Sequence, residues 1–118
     1  MRTTFQVEVE GIGTFTFARR AMRDHIKIGV EFSKLTDGVE TPSRNLEFIA
    51  DIIATLRVLT VEAPDGWDMD LDKLDPLDDD TFPRILKVFT ALREKELSFR
   101  QDKDGGKQKN REAGIDNP

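Results

Sequence analysis

The chain has 118 residues, of which 35% are charged and 37% apolar, and its formal net charge is −5. That length predicts one domain with a modest core, and the composition is that of a folded rather than a disordered chain. The absence of cysteine excludes disulfides, thiolate metal sites and cysteine nucleophiles. A single histidine and no tyrosine leave few groups for acid–base chemistry. We therefore expect a non-enzymatic protein without a cofactor, suited to a reducing cytoplasm.

The N-terminal segment alternates apolar and polar side chains with the period of a half-buried strand. In TTFQVEVE, Phe5, Val7 and Val9 share one face. Residues 14–17 alternate again after Gly11-Ile12-Gly13, which tolerates the positive φ of a tight turn. The sequence therefore predicts a β-hairpin. The alternating pattern is not that of a signal peptide.

Two helical segments follow the hairpin. Residues 19–35 fit both a strand and a helix, because Ile26, Ile28 and Val30 alternate while Met22 and Ile26 also have helical spacing. The length of this run and the glycine at position 38 favour a helix. A second helix is expected from the Thr41-Pro42-Ser43 start to about residues 59–61. Its apolar stripe consists of Leu46, Ile49, Ile53 and Leu56. Residues 46–61 contain charged side chains and are too few to cross a bilayer, so a membrane span is excluded.

Residues 65–80, here called the acidic segment, contain eight aspartates and one lysine, so the rest of the chain carries +2. Asp68, Asp70 and Asp72 match the first ligands of a calcium loop, but Lys73 stands where that loop needs glycine. We interpret the segment as a solvated connection, anchored on the core by Trp67, that packs its apolar side chains inward; these are Met69, Leu71 and Leu74. Steering of a basic partner is the alternative.

The third helix is expected to begin at Asp79 or Asp80 and to end near residue 101. Its apolar stripe consists of Phe82, Ile85, Phe89, Leu92 and Phe99, with Leu86 and Val88 at the margins. Glu96 falls inside this stripe, where a bond to Arg93 or Arg100 is a simpler role than catalysis. Residues 102–118 have no apolar periodicity and predict a disordered tail. The fold class expected is α+β, with a hairpin on about three helices, as one domain over residues 1–101.

Positive charge is concentrated between the hairpin and the first helix. The cluster consists of Arg19, Arg20, Arg23, His25 and Lys27. Nucleic-acid binding would call for interleaved aromatic residues or a recognition helix in a basic domain, and neither accompanies these residues. We expect an exposed first helical turn that neutralises the acidic segment.

The layout of the chain adds a resemblance to a known family. A Phe-rich hairpin leads into FARRAMRDHIKIGVEFSKLTDG, and a helix ending LRVLTVEAPDGWDMD is followed by the DPLDDD connection. The last helix closes with EKELSFR before a Gly/Lys-rich tail. In this order the chain resembles the tail assembly chaperones of long-tailed, siphovirus-like bacteriophages, over roughly residues 5–101.

This resemblance implies a viral chaperone that binds the tape-measure protein, keeps its helices soluble and aids polymerisation of the tail-tube protein around it. It also implies action in the bacterial cytoplasm, absence from the virion, weak self-association, and no binding to nucleic acid or membrane. The candidate partner-binding residues are Phe89, Leu92, Glu96, Phe99 and Arg100, for which ordinary core packing is the alternative. Family members often make a longer product by ribosomal frameshifting. Gly105-Gly106-Lys107 can be encoded by a slippery nucleotide sequence of the kind at which such a shift occurs.

Two other classes of function stay open from the sequence. A head–tail connector or tail-completion component would form stable rings and remain in the particle. A small acidic regulatory or antitoxin-like domain would use the acidic segment to pair with one basic partner.

Overall fold

The computed structural model describes the backbone of residues 3–41 and 43–114, with side chains up to Arg100. Its elements in chain order are β1 (Thr4–Val9), β2 (Gly13–Ala18), α1 (Met22–Leu35), α2 (Arg44–Leu59), β3 (Thr60–Glu62) and α3 (Thr81–Gly114). The α+β class expected from the sequence is confirmed. Among the described residues, no helix combines the length and apolar character that crossing a membrane requires.

Strands β1 and β2 form the predicted hairpin. They pair antiparallel, with Phe5 opposite Phe17 and Val9 opposite Gly13. Gly13 has a φ of +143°, and a Cβ atom there would lie 2.6 Å from Cβ of Pro64. The turn therefore requires glycine both for its backbone conformation and for its close approach to the segment after β3.

The third strand was not predicted. Strand β3 follows α2 without a loop and pairs antiparallel with β2, giving the sheet order β1-β2-β3. A strand of three residues is too short to show an alternating pattern in the sequence. The hydroxyl of Thr16 donates to a carboxylate oxygen of Glu62 at 3.2 Å across this pair.

Helix α2 is the centre of the molecule. Ser43 caps its N-terminus by accepting from the backbone N–H of Leu46 at 3.2 Å, as expected for a hydroxyl before a helix. The helix buries Ala50, Ile52, Ile53, Ala54, Thr55, Leu56 and Leu59. Four of these residues join the main core cluster, which also includes Phe15 and Phe17 of β2 and Ile85, Val88 and Leu92 of α3; the four are Ile52, Ala54, Leu56 and Leu59. Val88, predicted at the margin of the α3 stripe, is fully buried.

Helix α1 packs on α2 through a narrow face. Only Asp24 and Ile28 of its fourteen residues are buried, with Phe32 and Leu35 partly covered. A carboxylate oxygen of Asp24 accepts from the backbone N–H of Ala21 at 2.9 Å, which satisfies a free donor at the start of the helix. Most of α1 therefore faces outward.

The acidic segment is a chain of tight turns held by its own aspartates. The carboxylates of Asp68, Asp70, Asp75 and Asp78 each accept from the backbone N–H two residues further on, at 2.8–3.0 Å. Trp67 anchors the segment as predicted, packing edge-to-face on Phe15 with ring centroids 5.0 Å apart. Met69 and Leu74 also pack on the core, but Leu71 is exposed and its predicted inward packing is wrong. Leu71 lies in a turn, so the chain there lacks the alternation of an extended segment on which the prediction depended.

Helix α3 begins at Thr81, one or two residues after the predicted start at Asp79 or Asp80, and the carbonyl of Asp80 accepts the N–H of Arg84 at 3.1 Å. Its backbone continues through residues 102–114, beyond the end predicted near residue 101. Hydrogen bonds along a helix backbone need no apolar stripe, which is why the polar sequence gave no signal for this extension. The flexibility predicted for 102–118 stays a prediction, and residues 115–118 lie outside the described chain.

Candidate functional site

Three of the residues expected to bind a partner lie around one cleft. Glu96, Phe99 and Arg100 of α3 line it from one side. Its volume is about 240 Å³, and the remaining lining residues are Phe5, Arg19 and Arg20. We call it the arginine cleft. It lies where the first strand, the β2–α1 connection and the middle of α3 meet.

Glu96 is held by two arginines. The guanidinium of Arg20 donates from Nε and Nη2 to the two carboxylate oxygens, at 3.1 and 3.0 Å. Arg93, one turn earlier on α3, also donates to Glu96. The bond to Arg93 confirms one predicted partner, whereas Arg20 lies 76 residues away in sequence and was not foreseen. Because two cations already share its carboxylate, Glu96 acts as a structural anchor for the start of α1.

Phe99 closes the floor of the arginine cleft. Its ring packs edge-to-face against Phe5 with centroids 5.0 Å apart, and the guanidinium of Arg19 lies 4.4 Å from its centroid. Arg19 therefore covers one face of the ring in a cation–π contact. A nucleobase could not stack on that face of the Phe99 ring without displacing Arg19.

The other two predicted contacts are less accessible. Leu92 is fully buried between α3 and the rest of the core, so its place among the partner-binding residues is corrected to packing. Phe89 is partly buried against the same core. Both residues lie on the inward face of α3. The spacing of apolar residues along a helix is the same for a face that packs on the core and for a face that binds a partner, so the sequence could not tell the two apart.

The basic cluster does not neutralise the acidic segment. Arg20 is bound to Glu96 and Arg19 lies over Phe99. Among the described side chains, the only ion pair of the acidic segment is Lys73 with Asp68, at 3.7 Å. The predicted neutralisation is therefore wrong, because the tertiary structure directs the arginines to α3.

A second surface lies on the outward side of α1. Met22, Ile26 and Val30, here called the apolar row, are 72%, 61% and 52% exposed. Steps of four residues place them in one line along the helix. Met22 and Ile26 have helical spacing in the sequence, and the structure places them on a different face of α1 from the buried Ile28. Packing on α2 decides which of the two faces is covered.

The two sides of the apolar row differ in character. Arg23 and Lys27 follow Met22 and Ile26 by one residue and form what we call the basic rim; both are exposed and have no ion pair among the described side chains. On the other side, Gly29 is exposed, and a Cβ atom there would meet nothing within 4 Å. The row therefore has one cationic border and one open border.

The described residues include no group of three or more His, Cys, Asp or Glu side chains that could hold a metal ion. The chain's one histidine, His25, is exposed on α1. Comparison with protein-family models, with curated protein sequences and with solved structures found no match.

Proposed function

We propose that the protein is a non-enzymatic tail assembly chaperone of a long-tailed phage, which binds amphipathic helices of the tape-measure protein and assists polymerisation of the tail tube. It acts in the bacterial host cytoplasm and leaves before the virion is complete. The observation that carries this proposal is the apolar row, because three aliphatic side chains in line on an exposed helix form a contact surface for another helix.

The energy available from the apolar row fits reversible binding. Full burial of an aliphatic side chain contributes roughly 1.5–3 kcal/mol. Scaled by the exposed fractions of Met22, Ile26 and Val30, their burial would contribute about 3–6 kcal/mol before the cost of association. That amount supports transient contact with each segment of a long client. It would not support a permanent complex, which suits a chaperone that must be displaced by tube subunits.

The surroundings of the apolar row support the same function. The fold holds α1 along its inner face, where Ile28 is buried and Phe32 and Leu35 pack on the core. The Arg20–Glu96 bonds hold the segment just before the helix. The helix is thus presented as a rigid surface and loses little conformational freedom on binding. The high density of charge elsewhere on the protein keeps a protein–client complex soluble.

The proposal is tested by co-expressing the tape-measure protein with this protein's natural gene, so that any longer frameshifted product is made as well. The double variant Met22→Ser/Ile26→Ser should lose the rescue of soluble client. Leu71→Ser/Leu77→Ser is the matched control, since Leu71 and Leu77 are 41% and 89% exposed but lie on the acidic segment. A client that is equally soluble or equally insoluble with and without the wild-type protein would refute the chaperone function.

A further inference from the structure

The two borders of the apolar row specify what kind of helix it accepts. On one border stand Arg23 and Lys27, four residues apart and one residue beyond Met22 and Ile26. A helix that packs along the row would bring its own flanking side chains close to these cations. Carboxylates at those flanking positions would be attracted, and ammonium or guanidinium groups would be repelled.

The cations of the basic rim are free to make that contact. Within the described side chains, neither Arg23 nor Lys27 has an ion-pair partner, whereas Glu31 on the next turn is shared between Lys34 and Arg57. The carboxylate of Glu31 is 3.4 Å from Arg57 on α2 and is thereby held toward the protein. The carboxylate of Glu31, four residues beyond Lys27, is thus already neutralised.

The opposite border allows a close approach. Gly29 precedes Val30 and has open space where a side chain would stand. A bulky side chain of a partner helix can fill that space, which fixes the partner's apolar residues on the row and its polar flank on the basic rim. The surface is therefore asymmetric, and an incoming helix has one preferred rotation about its own axis.

We propose that the apolar row with its basic rim is a docking site for an acidic amphipathic helix, which places Glu or Asp at the flank of its apolar stripe facing Arg23 and Lys27. This inference rests on the proposed function and names the chemistry of the client segment that the chaperone selects. A second copy of α1 is a poorer occupant, because it would bring the same pair of cations to the contact. An anionic membrane is also poorer, because one line of three aliphatic residues without an aromatic residue is narrow for insertion into lipid.

The direct test uses two synthetic peptides of about 22 residues with the same leucine stripe at three- and four-residue steps. One carries Glu at the flanking positions and the other carries Lys. Binding is measured by fluorescence anisotropy of labelled peptide at low and high salt. We expect the wild-type protein to bind the Glu peptide about tenfold more tightly than the Lys peptide at low salt, and this preference to shrink as salt screens the charges.

The charge-reversal variant Arg23→Glu/Lys27→Glu should invert the peptide preference. Its matched control is Arg84→Glu/Lys87→Glu, which makes the same change in net charge at two exposed positions of α3. Equal binding of the two peptides to the wild-type protein, or equal loss of preference in both variants, would overturn the proposal. So would tighter retention on phosphatidylserine vesicles than on the Glu peptide, or dimerisation through α1 that the Glu peptide does not reverse.

Failure of this inference can be told from failure of the proposed function. If Arg23→Glu/Lys27→Glu still rescues the tape-measure protein and the peptides bind alike, the chaperone function stands and the acidic preference is wrong. If the peptides discriminate as expected but no client is rescued, the docking site stands and the phage function is wrong.

Discussion

Removal of the Glu96 carboxylate should destabilise the fold mainly through the loss of Arg20. The side chains of Glu96 and Arg20 are 13% and 27% exposed, and two hydrogen bonds join them. A forked, charge-assisted contact in this partly buried setting contributes about 1–2 kcal/mol. Arg93 is 42% exposed and only one helical turn away, so its pair with Glu96 contributes about 0.3–0.5 kcal/mol.

Double-mutant cycles separate the two contributions. Glu96→Ala, Arg20→Ala and Arg93→Ala, with the two corresponding double variants, are unfolded in urea while the fluorescence of Trp67 is followed. Trp67 packs on Phe15 and so reports on the core. With an unfolding slope of about 1–3 kcal/mol per molar urea, Glu96→Ala should lower the midpoint by about 0.4–2.5 M. A coupling energy for Arg93 that equals or exceeds that for Arg20 would refute this account of the Arg20–Glu96 anchor.

The effects of four further substitutions follow from local geometry. Gly13→Ala should destabilise the hairpin by about 1–3 kcal/mol or more, because its Cβ would collide with Pro64 and its φ is unfavourable for alanine; thermal unfolding measures this. Gly29→Ala should raise stability by about 0.5–1 kcal/mol, since the added methyl group meets nothing and helix propensity improves. Leu92→Ala should cost about 2–5 kcal/mol through a core cavity, whereas Leu77→Ser should change urea unfolding by under about 0.5 kcal/mol.

For three of these substitutions, the opposite result would have a specific meaning. A Gly13→Ala variant as stable as the wild type would show that the segment containing Pro64 moves aside without cost. Destabilisation by Gly29→Ala would place a neighbour over the open border of the apolar row. A measurable loss of stability in Leu77→Ser would mean that Leu77 is covered in solution. This variant should also bind the client as tightly as the wild type does.

Individual strands and helices could be predicted because the patterns that specify them involve only residues close together in the sequence. The alternation of Phe5, Val7 and Val9 predicted β1 because a strand buries every second side chain whatever it packs against. The hydroxyl of Ser43 predicted the start of α2 because capping involves only neighbours along the chain. The acidic segment was correctly interpreted as a connection, although its internal aspartate turns were not foreseen.

Long-range packing decided the candidate sites. Arg20 and Glu96 are separated by 76 residues, so no spacing rule could pair them. The sequence of α1 carries apolar residues on two faces, and only contact with α2 buries Ile28 while leaving Met22, Ile26 and Val30 exposed. The same limit applies to Leu92. Its place in the apolar stripe of α3 was predicted correctly, but its exposure to a partner was not, because it is fully buried. Sequence thus determined which residues are apolar and in which local structure they lie, whereas the tertiary structure decided which of them are covered, because burial depends on elements distant along the chain.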